Sequence, residues 1–372
     1  MGRDIANDQT VAVEFETDIA SVRIDDEERI ETLCLSPGFI DLQVNGFAGV
    51  DFNDPTASIE DIGIALNAMF ATGVTRCLPT VITGPPDAML ASLRNLRRAQ
   101  KELKFGRAIA GFHVEGPHIG PEDGPRGAHP MEWVRPPVIA EFRQWQDATE
   151  GNVRLVTLSP HWPGAAEYIA SVVKAGVAVS IGHTGASSDQ IAAAVDAGAT
   201  LSTHLGNAAY KNLPKFPNCL WDQLANDKLH ASFILDGWHL DSAFLRVALR
   251  AKSIERTILV TDAAAPAGAA PGQYKLGALD VELTDDERVV LRGSRKLAGS
   301  ALRMNRALAN LVRLGGTSLR DAVQTATVNP ARLIGLEGRT RGLVPGERGD
   351  VVVFREPELA IEAVYLDGVR VA

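Results

Sequence analysis

The chain is poor in the features that mark several broad protein classes. It has three cysteines, Cys34, Cys77 and Cys219, far apart and in no Cys-x-x-Cys pairing. That argues against a disulfide framework and a thiolate zinc site, and it predicts a reducing, cytoplasmic compartment. No basic run stands out, and 37 Lys+Arg against 46 Asp+Glu leave a net charge of −9, so no nucleic-acid partner is expected. Apolar runs such as 177–181 fall far short of the ~20 residues that span a bilayer, so no membrane partner is expected either. The opening stretch MGRDIANDQT is polar and lacks the apolar segment of a secretory leader. There is no Gly-x-Gly-x-x-Gly after the first buried strand candidate, which disfavours an open dinucleotide-binding sheet.

What is present is an ordinary globular balance, with 45% hydrophobic and 22% charged residues, which excludes a disordered or fibrous chain. Both ends alternate with period two. Residues 10–16 and 19–24, and then 350–354, 359–366 and 369–372, read as short half-buried strands. Neither end has enough strands to be stable alone, so the two are expected to pair into one small β domain, 1–36 with 336–372. The middle, 37–335, carries eight apolar strand candidates separated by helical segments: 38–44, 75–80, 108–114, 153–158, 177–181, 200–204, 231–235 and 257–261. Ser58…Asp61 and Ser187…Gln190 fit capping boxes, and their helices should stop near Gly73 and Gly198. Further helices are expected over 165–174 and 301–314, with an inserted hairpin over 268–295. Eight β/α units predict an α/β fold, a (β/α)8 barrel.

Barrel chemistry sits at the C-terminal ends of the strands. Strand three ends in His113-Val-Glu115, strand five in Gly182-His183-Thr184, strand six in Thr203-His204, and strand eight in Thr261-Asp262. Any one of these could be a satisfied structural residue. Four at the same relative place on four strands point to a site. Glu115, His183 and His204 form a three-ligand set for one divalent ion that keeps a position open for water. Asp262 is placed to take that water's proton.

A resemblance then becomes legible. Pro37-Gly-Phe-Ile-Asp-Leu-Gln-Val-Asn-Gly46 resembles the strand-one signature of the amidohydrolase superfamily. His113-Val-Glu-Gly-Pro117, Gly127-Ala-His129, Gly182-His-Thr184, Thr203-His-Leu-Gly-Asn-Ala208, Asp236-Gly-Trp-His239 and Val260-Thr-Asp262 resemble, in order, the N-acetylglucosamine-6-phosphate deacetylase family. Leu297-Ala-Gly-Ser300 and Asn329-Pro-Ala331 fit its closing segments. The resemblance implies a metal-dependent deacetylase of amino-sugar phosphates whose small domain is a β-sandwich of both chain ends. It implies Glu115, His183 and His204 as metal ligands, Asp262 as acid/base and His129 as the group that polarises the acetamide. His239, Asn207 and the backbone of Ala208 match positions that hold the sugar phosphate, and Ala128 is grouped with them. It also implies a homodimer whose neighbouring subunit lends a basic residue to the phosphate.

Two departures stand out. Where two-metal members carry His-x-His, this chain has Gln43-Val-Asn45. Amides are poorer ligands than imidazoles, so one ion is expected, and Gln43 and Asn45 are expected to hydrogen-bond beside the substrate. Zinc suits a His2Glu set, although iron, cobalt or manganese would also bind it. The family's phosphate-binding arginine is missing, and Lys215, with Lys211 close by, falls in its place. A lysine lacks the bidentate fork, so an unphosphorylated or a C4-epimeric N-acetyl sugar stays open as the substrate. A non-catalytic barrel would have lost the ligands or Asp262, and all are present. Of the other histidines, His118 is expected at the surface, His161 on the pocket wall, and His230 as a structural residue.

Overall fold

The computed structural model describes residues 1–25 and 33–372. Eight parallel strands form one sheet in chain order: Phe39–Val44, Val74–Ile82, Phe112–Glu115, Val153–Leu158, Ala178–Ile181, Leu201–Ser202, His230–Phe233 and Thr257–Leu259. The first two are buried along their whole length, as parallel strands covered by helices must be. The sheet closes on itself. The Asp262 N–H donates to the Gln43 carbonyl at 2.9 Å, and Val44 bridges to Ala263 in parallel. The Asp41 carboxylate reinforces the seam by accepting from the Thr261 hydroxyl at 2.5 Å and from the Thr261 and Gln43 amides at 3.2 Å.

Local signals set the helices. Ser58 caps Ile59–Phe70 by accepting from the Asp61 N–H. Ser187 and Gln190 cap Ser188–Asp196 reciprocally. Gly73 and Gly198 follow these helices at φ +87° and +107°, a conformation a side chain would disfavour. The helix expected over 301–314 starts later, at Met304–Asn310, and ends in a wide turn, Leu311–Gly315. Ser300 is the reason. It is tied into the barrel rim, with its N–H on the Asp262 carbonyl and its hydroxyl on the Thr261 carbonyl.

The inserted segment is larger than a hairpin. It is a three-stranded antiparallel sheet, Gly272–Leu276, Leu279–Leu283 and Val289–Leu291. Its own core holds Leu276, Val281, Leu283 and Val289 against Ile82, Ala264 and Ala298. Asp51 pins the first turn by accepting from the Gly277 N–H at 2.6 Å.

Both chain ends meet in a seven-stranded sheet, ordered Val369–Arg370, Ala360–Leu366, Val351–Arg355, Leu33–Pro37, Gly2–Asp4, Gln9–Phe15, Ile19–Ile24. Phe15 and Tyr365 lie on strands four places apart, a span of roughly 19 Å in a flat sheet. Their rings are 5.1 Å apart, so the sheet folds over as a sandwich around Val11, Ile19, Leu35, Leu343 and Val351. Cys34, Val352, Phe354 and Leu366 join the barrel core instead, so sandwich and barrel share one apolar interior.

An ionic knot sits between the two. Asp350 accepts from Arg76 Nε at 2.7 Å and from Arg339, and Asp367 takes Arg76 at 2.6 Å and Arg107 at 2.6 Å. Burial pushes the Asp350 carboxyl up, but Arg339 and Arg76 outweigh it and hold it below the usual carboxylate range. Asp350→Asn would leave the buried Arg339 guanidinium without a carboxylate and Arg76 with Asp367 alone, and it should cost about 3–5 kcal/mol in urea unfolding at neutral pH. The contribution of a depressed carboxyl is present above its unfolded value, about 3.9, and is lost as pH falls through the lower folded value. The gap between the two proteins should therefore narrow in strong acid. Equal urea midpoints at neutral pH would remove the knot from the account of stability.

Candidate metal centre and substrate cavity

The barrel rim brings three side chains from three strand ends together. Glu115 closes the third strand, and His183 and His204 follow the fifth and sixth by two residues. His204 Nε2 lies 3.0 Å from Glu115 Oε1, His183 Nε2 3.3 Å from the same oxygen, and the two Nε2 atoms 3.1 Å apart. All three residues are buried. Their backbone is unusual, with φ of +51° at His183, +30° at His204 and +48° at Asp262. Left-handed conformations cost about 1–3 kcal/mol each for residues with a Cβ. Hydrogen bonds hold the histidines there. The His204 N–H donates to Ser232 Oγ at 2.8 Å, and the His183 carbonyl accepts from Gly120 at 2.8 Å. Gly116 at φ +82° turns the chain directly after Glu115, where a Cβ would collide with the Thr83 hydroxyl.

These donors fit a divalent ion. The Pro125 carbonyl can only accept, so His183 Nδ1 donates to it at 3.0 Å and Nε2 is left as a bare lone pair in the neutral ring. Two imidazole nitrogens and a carboxylate oxygen at about 3 Å from one another are the His2Glu donor set that zinc accepts. Burial pushes the Glu115 carboxyl up, and the hydrogen bonds and charge of His183 and His204 overcome it, keeping Glu115 ionised well below its usual range.

Asp262 stands beside the triad. Its Oδ1 accepts from Asn45 Nδ2 at 2.7 Å and Gln43 Nε2 at 3.1 Å. Gln43 Nε2 also donates to Glu115 at 2.8 Å, so Gln43 bridges the two carboxylates. Burial first, and the Glu115 charge second, raise the Asp262 carboxyl to about 6. His129 packs its ring 4.4 Å from that of His183, with Nδ1 on the Thr83 hydroxyl at 2.7 Å. Burial and the neighbouring His183 lower His129 to about 3, so it is neutral at physiological pH. His239 shares its Nδ1 proton with Asp236 at 2.7 Å.

A cavity of about 520 Å³ opens over this cluster. It is lined by Asn45, Glu115, Ala128, His129, His183, His204, Asn207, Ala208, His239 and Asp262, with apolar walls from Ile82, Ile234, Leu276, Leu279 and Leu297. Three expectations are corrected. Lys215 is not on the cavity; its ammonium lies 5.8 Å from the Phe216 ring in an exposed loop, and Lys211 of the same loop lines the wall. His118 is buried, packed against Trp145 and Tyr168 with Nδ1 on the Arg135 carbonyl, and burial lowers it to about 4. His161 lies outside the cavity, in a separate groove with Trp162, and bonds Ser159 at 2.6 Å. His230 bonds the Thr200 carbonyl at the start of the seventh strand. The sequence reading assigned no role to Asp41, Thr83, Arg295 or Lys296. Asp41 had a usable signal, an acid two residues before Gln43 on a buried strand. Thr83, Arg295 and Lys296 had none, because their partners are distant in the chain.

Metal-reconstituted protein should hold one divalent ion per chain by elemental analysis after dialysis, and His183→Ala should hold almost none. Gln43→Ala should retain the ion, since its amide only donates to the carboxylates. Full occupancy in His183→Ala would break the assignment of the triad.

Comparisons with known proteins agree with this geometry. The model of the amidohydrolase family matches residues 34–371. The chain is 35% identical to N-acetylglucosamine-6-phosphate deacetylase of Bos taurus, over 93% of this chain and 85% of that one. It is 32% identical to N-acetylgalactosamine-6-phosphate deacetylase of Escherichia coli O157:H7, over 92% and 88%. Among solved structures, it superposes with a TM-score of 0.89 on the Mycobacterium smegmatis N-acetyl-D-glucosamine-6-phosphate deacetylase. That protein is an aspartate-to-alanine mutant in complex with N-acetyl-D-glucosamine-6-phosphate, 32% identical, covering 96% of this chain and 94% of that one. Family model, sequence identity and superposition thus point the same way, and the chain belongs to the amidohydrolase family, among its N-acetylglucosamine-6-phosphate deacetylases.

Proposed function

We propose that the protein hydrolyses N-acetyl-D-glucosamine 6-phosphate to D-glucosamine 6-phosphate and acetate. The observation that carries this is the convergence of Glu115, His183 and His204 beside Asp262 at the floor of the cavity. A divalent ion held by those three residues would supply Lewis acidity toward the amide carbonyl and lower the pKa of water.

The chain's own groups then divide the work. Asp262 Oδ1 is occupied by Asn45 and Gln43, which leaves Oδ2 for the reaction. A carboxylate near 6 accepts the proton of the attacking water and returns it to the departing nitrogen. The new C–O bond yields acetate and the broken C–N bond yields the free amine, so the Asp262 proton is used once and restored. With the Thr83 hydroxyl donating to Nδ1, the His129 Nε2–H is the donor toward the carbonyl oxygen as it gains charge. Neutrality suits that role, because a neutral ring still donates its N–H while an imidazolium packed against His183 would repel a divalent ion held there. His239, Asn207 and Ala208 orient the sugar along the cavity wall.

The C4 epimer, N-acetylgalactosamine 6-phosphate, is the second reading, supported by the 32% identical Escherichia coli relative of that name. Zinc is the proposed ion on donor chemistry, and a homodimer is proposed from the family resemblance, to be checked by light scattering. Among the described residues no helix is long and apolar enough to cross a membrane.

Metal-loaded protein should release acetate from N-acetylglucosamine 6-phosphate. Asp262→Asn should lower kcat by about 10²–10⁴-fold with metal content unchanged. Undiminished turnover in that variant would overturn the acid/base role, and no acetate from either epimer would overturn the function.

A further inference from the structure

We propose that the junction between sandwich and barrel binds a small zwitterion, an amine joined to a phosphoryl group. Asp4 takes the ammonium, and Arg320, Arg332 and Arg341 take the phosphoryl charge. The site stands on its own residues, apart from the deacetylation proposed above. That reaction supplies only the nearest example of such a ligand, its product D-glucosamine 6-phosphate.

A cavity of about 210 Å³ opens where the chain passes between its two units. On one side are Asp4, which closes the strand Gly2–Asp4, and Ser36 and Pro37, which lead into the first barrel strand. On the other side are the helices Leu319–Thr325 and Val328–Leu333, which carry Arg320 and Arg332, and then Arg341. Residues just before a barrel strand lie at the N-terminal face, away from the metal centre. The cavity shares no lining residue with the substrate cavity.

The chain carries a net charge of −9, yet arginine supplies three of the four charged residues on this cavity. Arg320 forms no hydrogen bond or ion pair among the described residues. Arg332 is held through Nε by the Thr340 carbonyl at 3.1 Å, and Arg341 through Nε by Glu347 at 2.7 Å. Their terminal guanidinium nitrogens have no partner among the described residues. Asp4 is the fourth charge. It is 3% exposed, and its Oδ1 accepts only from the Ala6 N–H, at 3.0 Å. No side chain donates to it among the described residues. Burial raises the Asp4 carboxyl, and the Ala6 N–H and the Arg320 charge oppose the rise.

Asp4 and Arg320 thus sense one another and share a cavity without forming an ion pair. A buried charge calls for a partner, and a molecule with a cation at one end and an anion at the other satisfies both. The volume equals roughly seven waters of liquid and falls below the ~300–1,000 Å³ of drug-sized sites, so the ligand is a small metabolite. With Arg341 set against Glu347, Arg320 and Arg332 leave two positive charges. A phosphomonoester, at about −1.5 to −2 charges, balances them better than a carboxylate does, and guanidinium forks match its oxygens. N-acetylglucosamine 6-phosphate has no ammonium, so the site separates product from substrate.

The test is titration calorimetry on the full-length, metal-loaded protein. With D-glucosamine 6-phosphate, the wild type should show one more site per chain than the Arg320→Gln/Arg332→Gln variant. Asp4→Asn should weaken that extra site at least about tenfold. D-glucose 6-phosphate, which lacks the amine, should bind the site of the wild type at least about tenfold more weakly, and the gap should close in Asp4→Asn. Arg320→Lys should retain the site, which separates lost charge from lost packing. Initial-rate kcat and KM for N-acetylglucosamine 6-phosphate should be unchanged in every variant. A site count that the double variant does not lower, or equal binding of the two sugar phosphates at the extra site, would overturn the proposal. Absence of acetate release would sink the deacetylase reading alone, and the comparison of variants would still decide this site.

Discussion

One carboxylate oxygen and two imidazole nitrogens meet within 3.3 Å of one another at the barrel mouth, and the structure around them is organised to hold them there. His204 Nε2 lies 3.1 Å from His183 Nε2 and 3.0 Å from Glu115 Oε1, so it is the centre of the cluster. The Pro125 carbonyl commits the His183 proton to Nδ1, so the ring cannot relieve the contact by donating from Nε2 while neutral. Burial lowers the His204 imidazole, but Glu115 overcomes it and raises the ring above its ordinary value, so the cluster favours a positive centre, whether a proton on His204 or a divalent ion. The fold accepts left-handed backbone at His183, His204 and Asp262 to build it. That strain is sustained by barrel closure: the Asp41 seam and the Ser232 and Gly120 hydrogen bonds hold each strand end in place.

From that cluster outward the cavity changes character. Its floor is buried and charged, so electrostatic interactions are strong there and Asp262 is lifted toward neutrality. Its walls are apolar, partly from Leu276 and Leu279 of the inserted sheet. Its rim is more exposed and carries Lys211, Arg295, Lys296 and Asp123, where single ion pairs such as Lys296–Asp123 are weak. The inserted sheet does two jobs in the cavity, closing the wall with leucines and bringing Arg295 and Lys296 to the edge.

Much of this was readable in the linear chain, for identifiable reasons. All eight strands were legible because each is a short apolar run between turn signals, and the polar residue after each run marks a strand end. Glu115, His183, His204 and Asp262 could be singled out because a barrel presents strand ends on one face. Strand six was read too long, at 200–204, because a positive φ at His204 ends the ladder and leaves no mark in composition. His118 was misread because its burial comes from Trp145 and Tyr168 on later helices. Lys215 was misplaced because a loop's proximity in sequence does not say which of its side chains turns inward.

The amino-acid order alone determined the barrel, the joining of the two chain ends, and the metal-binding residue types at the strand ends. These follow from hydrophobic periodicity and residue chemistry, which are local properties. Tertiary packing decided the rest: which imidazole nitrogen faces the ion, how far the Asp262 carboxyl is raised, and which cations reach the rim. Those depend on groups tens to hundreds of residues apart being brought within a few ångströms, and no local pattern encodes such distances.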